Sequence, residues 1–279
     1  MRPIPCLGEN PPVTAQVRDL DRIAAALSAA GQMLSRFRDE PVVARHKRNL
    51  DPVTDADTAI NRLLQESLVD IGEGWLSEET RDNKDRLTKE RVWIVDPLDG
   101  TKEFVAGIPE WCVSVALVEN GRTVAGGIFN PAASFLAIGG EGLGCTLNGV
   151  RVQADQRAWT RQPTVLASRT EVERGEWEHW FGGPIQVVPM GSVAYKLGRV
   201  ACGLADATWT LSPKNEWDVA AGTLLVQEAG GVVCLPSGGK LRFNQPSTLL
   251  PGLIASSQES ASVFTPENIV AGVLGDFAD

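Results

Sequence analysis

The feature that most limits what this chain can fold into is the apolar run Val92-Trp93-Ile94-Val95, followed at once by Asp96-Pro97-Leu98-Asp99-Gly100-Thr101-Lys102-Glu103-Phe104. Four successive apolar residues stopped by turn formers read as a strand buried on both faces. The chain is therefore expected to hold a buried strand here, with two aspartates three apart leaving its end at Asp96. Pro97 fixes the chain direction, Asp99-Gly100 supplies a tight turn, and Thr101 stands where it can cap a following helix. Carboxylates held beside a helix N-terminus suit a divalent cation bridging to a phosphate: the acids take the metal and the amides take phosphate oxygens. The other reading of the same residues is an Asp-rich turn that only caps a helix.

Further acids are arranged around this stretch. Ser77-Glu78-Glu79 precedes the strand and puts two carboxylates near the same sheet edge. Asp51-Pro52-Val53-Thr54-Asp55-Ala56-Asp57 places a cluster at a helix start, where capping alone accounts for Asp55 and Asp57. Asn215-Glu216-Trp217-Asp218 puts an acid at the start of a helix in the second half. The two histidines, His46 and His179, are too few and too far apart for a His-rich metal site, so polar chemistry falls mostly to carboxylates.

The order of elements sets the architecture. Residues 1–15 carry several prolines and read as a loose leader. Leu20, Ile23, Ala24, Leu27, Leu34 and Phe37 then follow helical spacing. A second helix begins at Thr54, with Ile60, Leu63, Leu64, Leu68 and Ile71 forming one apolar stripe. Segments 113–118 and 123–129, joined through Asn120-Gly121, predict a hairpin. After residue 155 short apolar runs (164–168, 185–190, 205–211, 231–235, 252–256) alternate with helical patterns (170–181, 192–203, 217–229). With 279 residues the chain accommodates two domains. The expectation is an α+β unit over 1–154, carrying most of the acids, and an α/β unit over 155–279 contributing Asp218, with a cleft between them.

Composition narrows the partners. Lys and Arg number 26 against 35 Asp and Glu, a net charge of −9, which disfavours a nucleic-acid backbone or an anionic membrane as partner. A small anionic molecule stays compatible if something local and positive receives it. No run reaches the roughly 18 apolar residues of a membrane span. Cys6, Cys112, Cys145, Cys202 and Cys234 lack CxxC spacing and read as small buried hydrophobes in a reducing, cytoplasmic setting.

Taken together, these motifs resemble the lithium-sensitive, magnesium-dependent phosphatase superfamily that includes inositol monophosphatase. The match to its DPxDGT signature is complete at Asp96–Thr101, and Ser77-Glu78-Glu79 and Trp217-Asp218 follow the family's order. Gly100-Thr101-Lys102-Glu103-Phe104, and Gly191-Ser192 followed by Lys196, look like the 3'(2'),5'-bisphosphate nucleotidase branch. The resemblance implies a layered α-β-α-β-α sandwich with the active site in the cleft between two halves. It also implies a Mg2+-dependent phosphomonoesterase acting on a small phosphate ester, 3'-phosphoadenosine 5'-phosphate above others, as a monomer or homodimer.

Residue by residue, the resemblance gives one Mg2+ to Glu78, Asp96 and the Leu98 carbonyl, and a second to Asp96, Asp99 and Asp218. A third, weaker ion is usual near Glu78. Thr101 with Asp51 would orient and deprotonate the attacking water, and the amides of Gly100 and Thr101 would receive the phosphate. Ser192 and Lys196 would read the non-reacting phosphate, with Trp209 placed to stack on a base. Within the fold the alternative is an inositol or sugar monophosphatase. Two other classes are a covalent aspartyl-phosphate phosphatase, whose paired aspartates have one residue between them where this chain has two, and a binding module without turnover.

Overall fold

The apolar run at 92–95 lies in a strand whose side chains leave alternately to two separate cores. Val92 and Ile94 enter one core, Trp93 and Val95 the other, and all four are fully buried. Both faces of the sheet are covered, so the usual apolar/polar alternation of a half-exposed strand is missing.

The computed structural model describes residues 11–38, 44–46, 52–155 and 162–274. In chain order these form helix α1 (Pro11–Arg38), strands β1 (Ala44–His46) and β2 (Pro52–Thr54), α2 (Asp55–Leu68), β3 (Gly74–Ser77) and β4 (Arg91–Asp99). Next come α3 (Thr101–Val105), β5 (Cys112–Glu119), β6 (Arg122–Asn130), β7 (Phe135–Gly140), β8 (Gly144–Leu147) and β9 (Val150–Val152). The second half holds β10 (Thr164–Ser168), α4 (Arg169–Glu173), β11 (Gln186–Met190), α5 (Val193–Ala201), β12 (Ala207–Thr210) and β13 (Lys214–Asn215). It closes with α6 (Glu216–Glu228), β14 (Val232–Cys234), β15 (Leu249–Leu250), β16 (Leu253–Ser256) and α7 (Pro266–Ala271).

Strands β3 to β9 make a seven-stranded sheet in chain order, parallel between β3 and β4 and antiparallel beyond. A second sheet runs β11-β10-β12-β16-β14. Helices α1 and α2 cover the outer face of the first sheet through Ile23, Leu27, Leu34, Ile60, Leu64 and Leu68. Helices α5 and α6 fill the space between the sheets, and one core draws on both halves of the chain. Helix α6 is buried along Val219–Val226 because a sheet lies on each side of it. Trp177, Trp180, Trp209, Phe264 and Ile269 close the outer face of the second sheet. The result is the expected α-β-α-β-α layering.

Local expectations held where turn chemistry was explicit. The β5–β6 hairpin turns at Asn120 (φ 50°) and Gly121 (φ 77°), both left-handed as a type I′ turn requires. Other expectations are corrected. Helix α1 begins at Pro11, so residues 11–15 are helix rather than leader, proline being tolerated in a first turn where no amide partner is needed. Ile71 lies beyond the end of α2 and is fully exposed, outside the apolar stripe. The strand predicted to stop at Asp96 runs on to Asp99, with a register shift between the two aspartates. The helix expected over 170–181 shortens to α4 plus a 3-10 turn at Glu178–Trp180, as Trp177 and Trp180 turn into the outer core. The side chain of Thr54, residues 1–10 and the proposed seam beyond Asp155 lie outside the described residues. Among the described residues, no helix is long and apolar enough to cross a membrane.

Candidate active site

Strand β4 brings its two aspartates to the C-terminal edge of the first sheet, between the rigid neighbours β3 and β5. The register shift bends the chain there, and the Leu98 amide donates to Asp96 Oδ1 at 3.0 Å. Gly100 takes φ 95°, and a Cβ at that position would lie 2.8 Å from the Glu110 carbonyl oxygen. Only glycine fits the turn that launches α3. Gly100, not Thr101, is the residue that caps α3; Thr101 is its first helical residue. The Thr101 hydroxyl instead stands 3.0 Å from the Leu98 carbonyl oxygen and 3.2 Å from Asp57 Oδ1, sharing one proton between two acceptors.

Asp57 is 2% exposed, and capping alone does not account for it. Its position was legible: Asp57, Ile60 and Leu64 stand at helical spacing on the buried face of α2, so an acid sits where the stripe calls for an apolar residue. Asp51, to which the sequence reading gave this role, lies outside the described residues.

The second half supplies the facing wall. Ser192, with a positive φ of 54° and ψ of 120°, caps α5 through its hydroxyl. That hydroxyl donates to Asp99 Oδ2 at 2.8 Å, and the Ala194 amide donates to the same oxygen at 2.7 Å. Asp218, in the first turn of α6, accepts the Asn215 amide at 2.9 Å. Ser114 Oγ on β5 donates to the Trp217 carbonyl at 3.3 Å and pins the start of α6 to the first sheet. Lys196 is buried, 3% exposed, and donates to the carbonyls of Ser192 (2.9 Å) and Met190 (3.3 Å).

One cavity of about 440 Å³ is lined by Glu78, Asp96, Leu98, Asp99, Gly100, Thr101, Ser192, Lys196 and Asp218. The sequence-predicted site residues therefore meet in one place, Asp51 and Trp209 aside. Sequence reasoning missed Lys102, Glu103, Arg169, Arg174, Lys214 and Trp217, which line the same cavity. Trp209 does not line it: its indole is stacked on Trp177 with ring centres 4.7 Å apart in the outer core. Base stacking by Trp209 is thereby excluded, because its faces are taken by Trp177, Trp180 and Phe264.

The electrostatics of the cavity are those of crowded acids. Burial, and then the charges of Glu78, Asp99 and Asp218, push the Asp96 carboxyl well above the ordinary carboxylate range. Burial also raises Asp218 strongly, reinforced by Asp99 and Glu78. Asp99 is raised by burial too, although the Ala194 amide, the Ser192 hydroxyl and the Lys196 charge oppose it. Burial lowers Lys196 to about 8. Among the described residues, no three acids already stand at metal-ligand spacing. The donor set still fits a hard divalent cation: every donor is oxygen, and the desolvated acids stay raised even with the Lys196 and Lys214 charges acting on them.

Comparison with known proteins bears on this arrangement. Residues 15–267 match the model of the inositol monophosphatase family. The inositol-1-monophosphatase of Rhizobium meliloti (strain 1021) is 34% identical over 231 residues, covering 79% of this chain and 86% of the relative. The inositol monophosphatase structure from Thermotoga maritima superposes with a TM-score of 0.78 at 27% identity, over 91% of this chain and 97% of that one. CysQ from Bacteroides thetaiotaomicron, described as a bacterial member of the same family, superposes with a TM-score of 0.70 at 27% identity, over 86% and 97% of the two chains. The family match spans both sheets and every described acid of the cavity, and on that ground the chain belongs to the inositol monophosphatase family and is a phosphatase.

Proposed function

We propose that the protein is a Mg2+-dependent phosphomonoesterase whose preferred substrate carries a second anionic group, with a 3'(2'),5'-bisphosphate nucleotide such as 3'-phosphoadenosine 5'-phosphate as the best fit. The observation carrying this reading is the cavity's cationic wall. Lys102, Arg169, Arg174, Lys196 and Lys214 all line it, in a chain whose net charge is −9. A single phosphate at the acid cluster needs one cationic focus, so a wall of this extent suits a substrate with two.

Glu78, Asp96 and the Leu98 carbonyl would hold one Mg2+, and Asp96, Asp99 and Asp218 another; a third, weaker ion near Glu78 is usual in the family. When bound, Mg2+ supplies Lewis acidity that activates water and neutralises charge on the leaving oxygen. Thr101 orients the attacking water and accepts its proton as the hydroxyl proton passes to Asp57. The water oxygen bonds to phosphorus, the phosphorus–ester oxygen bond breaks, the leaving oxygen takes a proton from solvent water to depart as the alcohol, and the amides of Gly100 and Thr101 hold the phosphate oxygens. No residue is phosphorylated.

Ser192 and Lys196 shape the cavity floor, their polar atoms being engaged by Asp99 and by backbone carbonyls. The second phosphate is met by Arg174 and Lys214. The Arg174–Glu176 pair is exposed and re-forms at little cost, whereas Lys214 is 18% exposed and pairs with the buried Glu171, so it meets the phosphate from a fixed position. A second reading, hydrolysis of an inositol monophosphate, is favoured by the likeness to the Rhizobium inositol-1-monophosphatase. Phosphate release measured across bisphosphate nucleotides, inositol phosphates and sugar phosphates separates the two. A kcat/KM for the bisphosphate nucleotide at least tenfold above that for inositol 1-phosphate supports the first; the reverse ranking establishes the second.

A further inference from the structure

The acids of the cavity come from two directions. Glu78 leaves the end of β3 in the first sheet, whereas Asp218 sits on α6. Their charges repel across the cavity, and something must hold them together before any cation arrives. Core packing fixes the middle of α6 and Ser114 ties its first turn to β5, while a separate network joins that turn to the segment after Glu78.

Arg86 is the centre of that network. It lies in the 3-10 turn Asp85–Thr88 and is 2% exposed despite its charge. Its Nε and Nη2 donate to Asp82 Oδ2 at 3.1 and 2.8 Å. Its Nη1 donates to Asn244 Oδ1 at 2.7 Å, and its Nη2 also reaches the Gln245 carbonyl at 2.9 Å. The Asn244 side-chain amide returns a hydrogen bond to the Arg86 carbonyl at 3.3 Å. Residues 244 and 245 in turn donate their backbone amides to Glu216, at 2.6 and 2.8 Å, and Glu216 is fully buried two residues before Asp218. Lys84 adds a parallel tie to the Pro246 carbonyl at 2.9 Å. The chain of contacts therefore runs from the segment after Glu78, through Arg86, to the first turn of α6.

A guanidinium this deeply desolvated is retained only where its fixed fork satisfies several acceptors at once. Here those acceptors lie on both sides of the boundary between the two acid-bearing segments. We propose that Arg86 is a positioning residue that holds the Glu78-bearing segment against the start of α6, and so sets the affinity of the acid cluster for a divalent cation. The proposal rests on the metal-dependent reading above. Without the clamp, repulsion lets Glu78 and Asp218 drift apart, and binding must then draw them back. Partners behind metal ligands typically change metal affinity by about 10–100-fold when removed.

The test measures Mn2+ binding directly, by electron paramagnetic resonance of the free ion, on the full-length protein and on Arg86→Met, Arg86→Lys and Asn244→Gly. Glycine at 244 keeps the φ of +56° found there while deleting the side-chain amide, so that variant cuts the clamp on its other side with the Arg86 charge and the backbone conformation kept. The expected result is a Kd for Mn2+ raised about tenfold in Arg86→Met and by a smaller factor in both other variants, with kcat at saturating Mg2+ within twofold of the parent. A general structural role would instead lower melting temperature and active fraction while leaving the Mn2+ Kd unchanged. An unchanged Kd in soluble Asn244→Gly and Arg86→Lys overturns the proposal and leaves the metal-dependent reading intact. A parent protein that binds no Mn2+ overturns both.

Discussion

The Thr101 hydroxyl and the Asp57 carboxylate, 44 residues apart in the chain, meet at 3.2 Å beside the acid cluster. In the proposed mechanism this contact gives the water-orienting hydroxyl a buried proton acceptor. Asp57→Asn should therefore lower kcat by about 10²–10⁴-fold with KM changed less than threefold, the range for losing a general base. Circular dichroism should match the parent. Asp51→Asn serves as the comparison: if Asp51 is the acceptor, that variant carries the loss and Asp57→Asn does not.

Asp96→Asn should reduce activity by orders of magnitude while leaving the fold intact, since an amide is a far poorer ligand for a hard cation. The same change removes one of the repelling charges, so the metal-free melting temperature should stay level or rise. Near-normal turnover in Mg2+ would contradict the assignment of Asp96 as the shared ligand. Exhaustive chelation of the parent should likewise abolish activity, and added Mg2+ should restore it.

Metal-free stability should fall as pH rises. Asp96, Asp99 and Asp218 all titrate above their ordinary range, and Glu216 at about 7, with burial the largest cause in each. A carboxyl with a raised folded pKa binds more protons in the native state, so stability is lost from the ordinary value near 4 up through the raised one. At the acid end the sign reverses. Glu73, drawn down to about 2 against the effect of its burial by hydrogen bonds led by that from Arg22, loses its stabilisation as pH falls below about 4. Thermal melts in chelator should show a decline of several degrees between pH 5 and 8, which saturating Mg2+ removes. A flat profile in chelator would refute the crowded-acid picture.

Arg174→Ala and Lys214→Ala should each raise KM for a bisphosphate nucleotide about tenfold, the loss of one charge-assisted contact. Hydrolysis of inositol 1-phosphate, which has no second phosphate, should change less than twofold. Lys196→Ala should instead impair both substrates and lower the melting temperature, because its ammonium is buried against the 190 and 192 carbonyls. Parallel losses for Arg174→Ala on both substrates would favour the inositol monophosphate reading.

The sequence by itself determined the layering and most of the acids. Val92–Val95 required a sheet buried on both faces, Asn120-Gly121 required a hairpin, and strand–helix alternation after residue 155 required a second layered unit. Asp96, Asp99, Glu78 and Asp218 were legible because each stands at the end of a strand or the start of a helix, where a short-range pattern marks it. Partners brought together from distant segments were decided only by the tertiary structure. Asp57 read locally as a capping acid, and its approach to Thr101 depends on α2 packing against β4. Trp209 looked available from its neighbours in sequence, yet the second sheet turns it into the outer core. Lys196 sits on a short helix whose apolar stripe gives no sign that the ammonium folds back onto carbonyls. Arg86, in a segment with no motif, gains its meaning only from Asn244 and Gln245, about 160 residues away. Periodicity and turn chemistry act over a few residues, so they fix elements and their ends; which side chains face one another across a cleft is fixed by how those elements pack.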